Sequence, residues 1–393
     1  MSLPVIILKQ KAERRIQGGH LWIFNDETEK PSDEFAAGSL VKVVNSRGRS
    51  LGVGIANPNS TIYVRLLLSD TENLSSEFFT ERIAQAKKRR ELLLPVGEKT
   101  YRVVFGESDL LPGLIVDKYD DYFAVQTFSA GMDSAKNAIV EAIRTVFPST
   151  KGIAEKNETR MRHLEGLPAV EGVLWGEIPD VVNTSENGLK LGIDVLGGQK
   201  TGYFLDQRPN RAEVRRLAFG RRVLDCFTNQ GGFALNAALG DATSVTGVDI
   251  SQNAVEICRR NAALNNIAVA DFIKDDAFDF LKSQAKSGER YDMIILDPPA
   301  FTKSKKNIAH AARGYAEINR LAMKMLPPGG LLATASCSHH ISEEYFIEII
   351  RQQAASLYRR LRFAYRGMQS PDHPALLGMP ETRYLKFLIF EMV

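Results

Sequence analysis

From about residue 200 onward, short apolar runs alternate with helical stretches, and this alternation constrains the fold more than any other feature of the chain. Strands are predicted at Arg222–Cys226, Ser244–Asp249, Ala270–Ile273, Tyr291–Asp297 and Gly330–Ala335. Helices are predicted between them, for example over 253–265 and 315–325. A repeated order of strand, helix and strand builds a parallel sheet with helices on both faces. The sequence therefore predicts an α/β fold with a doubly wound sheet.

The remainder of the chain has a different pattern, and 393 residues are enough for two or three domains. Residues 1–72 contain short strand-like runs separated by turns, which indicates a small β-barrel. Residues 73–195 combine an amphipathic helix over 76–94 with further strands and a helix, which indicates a linker helix and an α+β domain. With residues 196–393 as the α/β domain, the chain is predicted to hold three domains.

The composition indicates a soluble globular protein, because 44% of the residues are hydrophobic and 25% are charged. No apolar stretch approaches the roughly 18 residues of a membrane span, and the first ten residues do not resemble a signal peptide. The three cysteines, Cys226, Cys258 and Cys337, are too few for a disulfide framework. We therefore expect a cytoplasmic protein without a membrane partner and, since no pair of residues has zinc-ligand spacing, without a metal.

An acid and a thiol follow two of the predicted strands. Asp297, with Pro298 and Pro299 behind it, ends the apolar run 293–296, and Cys337 comes just after the run 331–335. Ligands of open α/β sheets bind at the carboxyl ends of the strands. We therefore expect Asp297 and Cys337 to act together, with Cys337 as the nucleophile. Cys226 and Cys258 lie in a strand and in a helix, so both are predicted to be packing residues.

A nucleotide-type pocket is predicted at the first three strands of the α/β region. The run that contains Asp225 leads into a glycine turn at Gly231, and Asp249 ends the next strand, 24 residues after Asp225. A carboxylate at that spacing hydrogen-bonds ribose hydroxyls. Asp276 and Ala277 follow the third strand, where the adenine edge of a cofactor would lie. Because the pocket is acidic, it suits S-adenosylmethionine, which carries a cation and no phosphate.

Basic residues follow Asp297 closely. Lys303, Lys305 and Lys306 precede His310 and Arg313, with no acid among them. A cluster of this kind beside the expected active site predicts contacts with a nucleic-acid backbone. Phe301, next to the carboxylate, is predicted to stack on a base, because chemistry on a base requires that base to leave its stack.

Several motifs give the whole chain a family resemblance. The motifs occupy 106–114, 198–208, 297–301, 336–338, 372–374 and 384–386. In this order they resemble those of the bacterial 23S ribosomal RNA cytosine-5 methyltransferases that carry an N-terminal PUA domain. The resemblance implies a PUA domain at 1–72, a central α+β domain and a class I methyltransferase domain. It also implies S-adenosylmethionine as the methyl donor and a cytosine of 23S ribosomal RNA as the target, before or during subunit assembly.

The resemblance and the pocket pattern together assign roles to individual residues. Cys337 and Asp297 are the expected catalytic residues. The expected cofactor-binding residues are Lys200, Tyr203, Asp206, Gln207, Arg208, Asp225, Phe227, Gly231, Asp249, Asp276, Ala277 and Asp297. The expected substrate-binding residues are Phe301, Lys303, Lys305, Lys306 and His373.

The chemistry of cytosine explains why a thiol is expected. Carbon-5 becomes nucleophilic when a thiolate adds at carbon-6, and a protonated Asp297 suits the ring's N3/N4 edge. Candidates for the base that removes the carbon-5 proton are His339, His373, Asp372 and a water molecule. Two alternatives stay open: methylation of a ring or exocyclic nitrogen, and a non-catalytic RNA-binding factor of ribosome assembly. The sequence also leaves a homodimer open.

Overall fold

The computed structural model describes residues 3–29, 34–157, 160–301 and 307–393. The chain divides into two compact units, and each of them contains more than one segment. The first unit comprises Met1–Thr184, Ile193–Leu205 and Pro371–Arg383; the second comprises Ser185–Gly192, Asp206–Ser370 and Tyr384–Val393. The three domains predicted from the sequence, 1–72, 73–195 and 196–393, divide the chain at other positions and stay a prediction.

The first unit begins with a five-stranded sheet. Its elements are β1 (Val5–Ile7), α1 (Gln10–Gln17), β2 (Trp22–Phe24), β3 (Ser39–Val44), β4 (Ser50–Ala56) and β5 (Ile62–Leu66). The strand order is β1-β3-β4-β5-β2, and all pairs except β1 with β3 are antiparallel. The inward side chains are aliphatic and fully buried, among them Ile6, Val41 and Val64.

A second sheet follows in the same unit. Its elements are α2 (Ser76–Leu93), β6 (Thr100–Phe105), β7 (Leu114–Tyr119), β8 (Tyr122–Thr127), α3 (Ala130–Ser134), α4 (Lys136–Val146), β9 (Gly152–Lys156), α5 (Arg160–His163) and β10 (Glu171–Gly176). The strand order is β10-β9-β8-β7-β6. Helix α2 begins where Ser75 accepts a hydrogen bond from the Phe78 amide, and it buries Phe79 and Ile83. A two-stranded hairpin, β11 (Val182–Glu186) with β12 (Leu189–Ile193), comes next.

Buried charges hold a C-terminal segment in the first unit. The guanidinium of Arg90 is buried, pairs with both oxygens of Asp109 and donates to the Asp372 carbonyl at 2.8 Å. The Asp372 side chain accepts a hydrogen bond of 2.9 Å from the Arg102 amide. Because breaking one partner of a buried pair leaves an unpaired charge, these contacts fix residues 371–383 in place.

The second unit is built on a seven-stranded sheet. Its elements are α6 (Arg208–Leu217), β13 (Arg222–Cys226), α7 (Gly232–Leu239), β14 (Ser244–Asp249), α8 (Gln252–Leu264), β15 (Ala270–Lys274), α9 (Ala277–Ser287), β16 (Met293–Leu296), α10 (Ile308–Met325), β17 (Leu331–Ser336), α11 (Glu343–Ser356), β18 (Leu361–Gly367) and β19 (Lys386–Met392). The strand order is β15-β14-β13-β16-β17-β19-β18.

The first five of these strands are parallel, as their alternation with helices predicts. Every residue of β16 and β17 is buried, which explains their continuous apolar runs. The C-terminal strand β19 inserts between β17 and β18 and runs antiparallel to both. The predicted α/β fold class is confirmed. Within the described residues, no helix combines the length and apolar character needed to cross a membrane.

Candidate active site

The chain changes direction across the sheet at β13, which has β14 on one side and β16 on the other. Open α/β sheets bind their ligands at such a switch point, outside the carboxyl ends of the strands. Asp297 comes directly after β16 and Cys337 directly after β17, and these two strands pair in parallel with Leu296 opposite Thr334. The acid and the thiol therefore follow neighbouring strands at the same edge of the sheet.

Residues 336–338, called here the Cys337 loop, are supported from one side by a tyrosine. The Ser336 hydroxyl donates a hydrogen bond of 3.0 Å to the Tyr315 hydroxyl oxygen, which also lies 3.1 Å from Ser338 Oγ. Both serines and Tyr315 are buried, whereas Cys337 is only partly buried. Burial raises the pKa of Tyr315, so its hydroxyl stays protonated and can donate. The loop thus has fixed flanks around a partly buried cysteine.

A lysine supports the Cys337 loop from β19. Lys386 is largely buried, and its ammonium group donates hydrogen bonds of 2.8 Å to the carbonyls of Ser338 and Tyr384. The pairing of β17 with β19 sets Lys386 opposite Ser336. The lysine therefore fixes the backbone of the residue that follows Cys337.

The other two cysteines have different surroundings. Cys226 and Cys258 are fully buried, and burial raises the pKa of each thiol above its ordinary value. A protonated thiol in the core behaves as a small apolar side chain. The prediction that these two residues serve packing is confirmed.

The carboxyl group of Asp297 is oriented by an amide chain that the sequence did not reveal. Gln207, buried in a short turn before α6, donates from Nε2 to Asp297 Oδ2 at 3.0 Å. Its Oε1 accepts a hydrogen bond of 2.6 Å from Asn210 Nδ2. Because Asn210 occupies the oxygen of the Gln207 amide, the nitrogen must face Asp297. Gln207 therefore holds the carboxyl group of Asp297 in the structure, and the cofactor role expected for Gln207 stays a prediction.

The neighbours of Gln207 are also held within the second unit. Asp206 accepts a hydrogen bond of 2.5 Å from the Tyr384 hydroxyl, and its carbonyl accepts from the Ser370 amide. The Arg208 guanidinium lies 3.6 Å from Glu186, which also pairs with Arg211. Asp206 and Arg208 are both buried, and their cofactor role stays a prediction.

Two further residues that were predicted to bind the cofactor belong to the first unit. Lys200 is exposed, adopts a left-handed backbone conformation (φ 53°), and holds its ammonium group 4.3 Å from the centre of the Phe204 ring. Tyr203 is buried, and its amide donates to the Tyr119 hydroxyl at 3.1 Å. The role of both residues toward a cofactor stays a prediction.

Asp225 braces the glycine turn, defined here as residues 227–231. Its Oδ2 accepts hydrogen bonds from Thr228 Oγ1 at 2.6 Å and from the Ala234 amide at 3.0 Å. Asp225 is fully buried, and its Oδ1 has no hydrogen-bond partner among the described residues. Burial raises the pKa of this carboxyl group to about 7, with the nearby charges of Asp297 and Asp249 acting in the same direction.

The backbone of the glycine turn is bent sharply. Phe227, Asn229 and Gly231 have φ values of 65°, 50° and 81°. A positive φ in a bulky aromatic residue is rare and marks a functional or strained turn. Gly231 starts α7 in this conformation, and a Cβ atom there would lie 3.1 Å from the Leu235 side chain and 3.3 Å from Cys258 Sγ. The close packing of α7 on the turn therefore favours glycine.

Asp249 and Asp276 follow the next two strands. Asp249 is partly buried and accepts hydrogen bonds of 2.9 Å from the amides of Asn229 and Ser251. Asp276 caps α9 by accepting from the amides of Phe278 and Asp279, and the buried Ala277 is the first residue of that helix. A row of carboxyl groups suits ribose hydroxyls and a sulfonium cation better than a phosphate. The residues present therefore fit S-adenosylmethionine.

Aromatic rings form a chain from the glycine turn to Tyr315, the tyrosine that supports the Cys337 loop. Phe301 lies 5.8 Å from the ring of Phe278 and 4.7 Å from that of Tyr315, and Phe278 contacts Phe227 edge-on at 6.2 Å. Phe301 is partly buried, and its stacking on a base stays a prediction. The predicted contacts of Lys303, Lys305 and Lys306 lie outside the described residues.

The histidines have contrasting surroundings. His373 belongs to the first unit, is almost fully buried, and has its Nδ1 3.0 Å from Asp372 Oδ1. Its ring also packs against Phe105. His339 is exposed in the second unit, two residues after Cys337, with its ring 5.7 Å from that of Tyr384. His339 therefore belongs to the same unit as Cys337, whereas His373 does not. The substrate contact predicted for His373 stays a prediction.

Comparisons with known proteins identify the family. A model of S-adenosylmethionine-dependent methyltransferases matches residues 159–390, and a PUA-like domain model matches residues 6–68. Ribosomal RNA large subunit methyltransferase I of Tolumonas auensis is 38% identical, and the match covers 100% of both chains. This chain belongs to the ribosomal RNA large subunit methyltransferase I family. The member from Klebsiella pneumoniae (strain 342) is 37% identical and covers 98% of this chain and 97% of its own.

Solved structures agree with this family at the level of the fold. A Streptococcus mutans protein, assigned as a S-adenosylmethionine-dependent methyltransferase, matches with a TM-score of 0.84 and 21% identity. The match covers 99% of this chain and 100% of that chain. The fold and the donor, S-adenosylmethionine, are thereby those that the sequence predicted.

The residues that support the predicted site were missed because they lie far from it in sequence. Tyr315 and Asn210 sit on helices, and Lys386 is the first residue of the last strand. The one available signal was the position of Lys386 inside a family motif, which indicates a role without giving its contacts. Gln207 lies in one of the family motifs and was predicted to bind the cofactor, but its contact with Asp297 was not predicted.

Proposed function

We propose that this protein transfers a methyl group to carbon-5 of a cytosine in 23S ribosomal RNA through a covalent adduct on Cys337. The substrate class is suggested by the relatives, which are named for the RNA of the large ribosomal subunit. The position on the base is suggested by the site. The observation that carries the proposal is that Cys337, which is partly buried, and Asp297 follow two strands that pair side by side in parallel.

The thiol acts as the nucleophile in this mechanism. The sulfur of Cys337 forms a bond to carbon-6 of the cytosine, and the ring becomes an enamine whose electron density is highest at carbon-5. S-adenosylmethionine, when bound, supplies the methyl group to that carbon. A base then removes the proton from carbon-5, the carbon–sulfur bond breaks, and the thiolate is restored. Over the whole cycle, carbon-5 exchanges its bond to hydrogen for a bond to the methyl group, whose bond to the sulfonium sulfur would break to leave S-adenosylhomocysteine. The bond between the Cys337 sulfur and carbon-6 forms in the first step and breaks in the last.

Asp297 and its support hold the ring during the addition. A carboxyl group at the N3/N4 edge of the cytosine offsets the charge that develops when sulfur adds. The hydrogen bond from Gln207 limits the rotation of that carboxyl group, so the base meets a fixed partner. Lys386 likewise limits the movement of the Cys337 loop through its hydrogen bond to the Ser338 carbonyl. Catalysis of this kind depends on groups that are already in position before the substrate binds.

The cofactor would be held where β13, β14 and β15 end. The glycine turn and the carboxyl groups of Asp249 and Asp276 would contact its ribose and adenine. The PUA-like domain would bind the RNA, before or during assembly of the subunit. A cytoplasmic location and a homodimer both stay predictions.

The experiment compares the products of three proteins. Unmodified 23S ribosomal RNA is incubated with S-adenosylmethionine and wild type, Cys337→Ala or Cys258→Ala, and the digested nucleosides are identified by mass spectrometry. We expect 5-methylcytidine from wild type and from Cys258→Ala, and none from Cys337→Ala. Binding of S-adenosylhomocysteine, measured by calorimetry, should be unchanged in Cys337→Ala. A methyl group on a nitrogen atom would instead support the rival N-methylation.

A further inference from the structure

The segment after α11 carries arginines without any acid. Between residues 351 and 366 the chain has five arginines and neither aspartate nor glutamate. Glutamates elsewhere in the second unit pair with three of them, in the pairs Arg351–Glu348, Arg362–Glu391 and Arg366–Glu343. Arg359 and Arg360 form no ion pair within the described part of the chain. Two unneutralised positive charges therefore sit side by side on this surface.

Aromatic side chains flank these two charges. Tyr358 is 99% exposed and has a left-handed backbone conformation (φ 55°), which turns it away from the end of α11. Phe363 is 47% exposed and packs on Phe390 with the ring centres 4.8 Å apart. A tyrosine that is almost fully exposed contributes nothing to the core. Its ring is available to stack on a flat ligand.

A groove of about 500 Å³ lies between α11 and β18 beside these residues. Its floor is apolar and includes Ile350 and Phe390, and its rim includes Arg359, Arg360 and Phe363. The volume is within the range of sites that bind small ligands or single nucleotides. An apolar floor with a cationic rim matches the two parts of a nucleotide, its base and its phosphate.

The groove is separate from the candidate active site. Leu361, where β18 begins, pairs with Met392, and Leu331, where β17 begins, pairs with Glu391. The start of β18 therefore lies at the amino end of the sheet, whereas Cys337 follows the carboxyl end of β17. A ligand in the groove would be a second contact, remote from the reacting base.

Symmetry argues against a second copy of this chain as the occupant. Among the strands that the structure describes, β18 lies at the edge of the sheet beside β19, so pairing of two such edges is the obvious alternative. A twofold interface presents the same surface on both sides. Such an interface would bring two copies of the Arg359 and Arg360 pair into one surface, four positive charges in all, and neither arginine has an acidic partner among the described residues. A polyanion such as RNA would instead balance the positive charges of Arg359 and Arg360.

We propose that the groove between α11 and β18 binds a single-stranded segment of the RNA substrate. Arg359 and Arg360 contact its phosphates, and Tyr358 and Phe363 stack on its bases. This inference rests on the proposed function, since it extends the recognition of that RNA to a second surface. Single strands are favoured because their bases are open to stacking.

The test measures the binding of the full chain to two probes, 23S ribosomal RNA transcribed in vitro and a 20-nucleotide polyuridylate. Filter retention is measured over a range of KCl concentrations for wild type and Arg359→Ala/Arg360→Ala. We expect Kd to rise about tenfold at moderate salt and the slope of log K against log[KCl] to fall by about 1.4, from two lost phosphate contacts. Tyr358→Ala should weaken binding about fivefold with an unchanged slope.

A matched control removes the same charge elsewhere. Arg260→Ala/Lys286→Ala takes two exposed cations from α8 and α9, at the other side of the sheet, and should leave the slope unchanged. Equal slopes for the two double variants overturn the proposal. So does a wild-type dimer, seen by sedimentation, that Arg359→Ala/Arg360→Ala alters. If Arg359→Ala/Arg360→Ala weakens RNA binding but wild type does not methylate the RNA, the proposed function is wrong and the proposed RNA contact in the groove is still supported.

Discussion

The edge of the sheet that carries the candidate site has two halves. The ends of β13, β14 and β15 are called here the cofactor half, and Asp297 with the Cys337 loop the substrate half; the two are held by different kinds of contact. In the cofactor half, Asp225, Asp249 and Asp276 accept hydrogen bonds from groups 2 to 9 residues away, apart from one partner at 20 residues. In the substrate half, Asp297 and the Cys337 loop are held by partners 21 to 90 residues away. The first half is a set of self-supporting turns, and the second depends on distant elements.

This difference separates the effects of mutations. Changes in the cofactor half should disturb a turn and with it the stability and the affinity for cofactor. Changes in the substrate half should leave the cofactor in place and lower the rate, because they displace a reacting group. The four predictions below test this separation.

The largest effect on stability is expected for Asp225→Ala. The change leaves the Thr228 hydroxyl and the Ala234 amide without an acceptor and opens a cavity, so unfolding should become about 3 kcal/mol easier. Affinity for S-adenosylhomocysteine should fall as the turn loosens. Chemical denaturation and calorimetry measure both. A variant with wild-type stability and affinity would show that the turn does not depend on this carboxyl group.

Asp225→Asn tests the same residue through pH. The pKa of Asp225 is about 7 in the folded chain against an ordinary 3.8, so the folded state binds the proton more tightly than the unfolded state. The contribution of this group to stability is therefore complete below pH 4 and is lost as pH rises toward 7. Wild type should lose stability over this interval relative to Asp225→Asn. Parallel curves for the two proteins would contradict the raised pKa.

The largest effect on rate, after the loss of the nucleophile itself, is expected for Lys386→Met. The methionine keeps most of the side-chain volume but leaves the carbonyls of Ser338 and Tyr384 without their donor. A shift of the thiol of about 1 Å would lower kcat about 100-fold. Cofactor affinity should stay at the wild-type value. Lys282→Met, at an exposed lysine of α9, serves as the control. A parallel loss of cofactor affinity would mean that the two halves are not separate.

The smallest effect is expected for Tyr315→Phe. The ring keeps its packing on Phe301 and Phe346, while the hydroxyl that links Ser336 and Ser338 is removed. Each serine can rotate to another partner, so the cost is about 1 kcal/mol, or roughly a fivefold lower kcat. Steady-state kinetics with ribosomal RNA checks this value. A change as large as that of Lys386→Met would place the main support of the loop on the helix rather than on β19.

The same contrast explains what the sequence could predict. The order of glycine turn, Asp249, Asp276 and Asp297 was visible because each follows a strand and each strand has a local pattern. The α/β class followed from the same alternation. The insertion of β19 between β17 and β18 was not visible, since an apolar run does not specify its neighbours in a sheet.

Long-range polar contacts were beyond the reach of sequence patterns. Asp372 lies 282 residues from Arg90 and 270 from Arg102, and nothing local assigns residues 371–383 to the first unit. Gln207 is a similar case, because its partner depends on the position of Asn210 one turn further along α6. Sequence motifs supplied the candidates for the reacting groups, and the structure was needed to find what holds them.

A covalent trap tests the central claim most directly. In RNA whose cytidines are replaced by 5-fluorocytidine, the group at carbon-5 cannot leave as a proton, so an adduct on sulfur should persist after the methyl transfer. Wild type and Cys258→Ala should each form a protein–RNA complex that survives denaturation and maps to Cys337 by peptide mass spectrometry. A wild-type protein that produces methylated RNA yet forms no such complex, or a complex that persists in Cys337→Ala, would contradict the thiol mechanism.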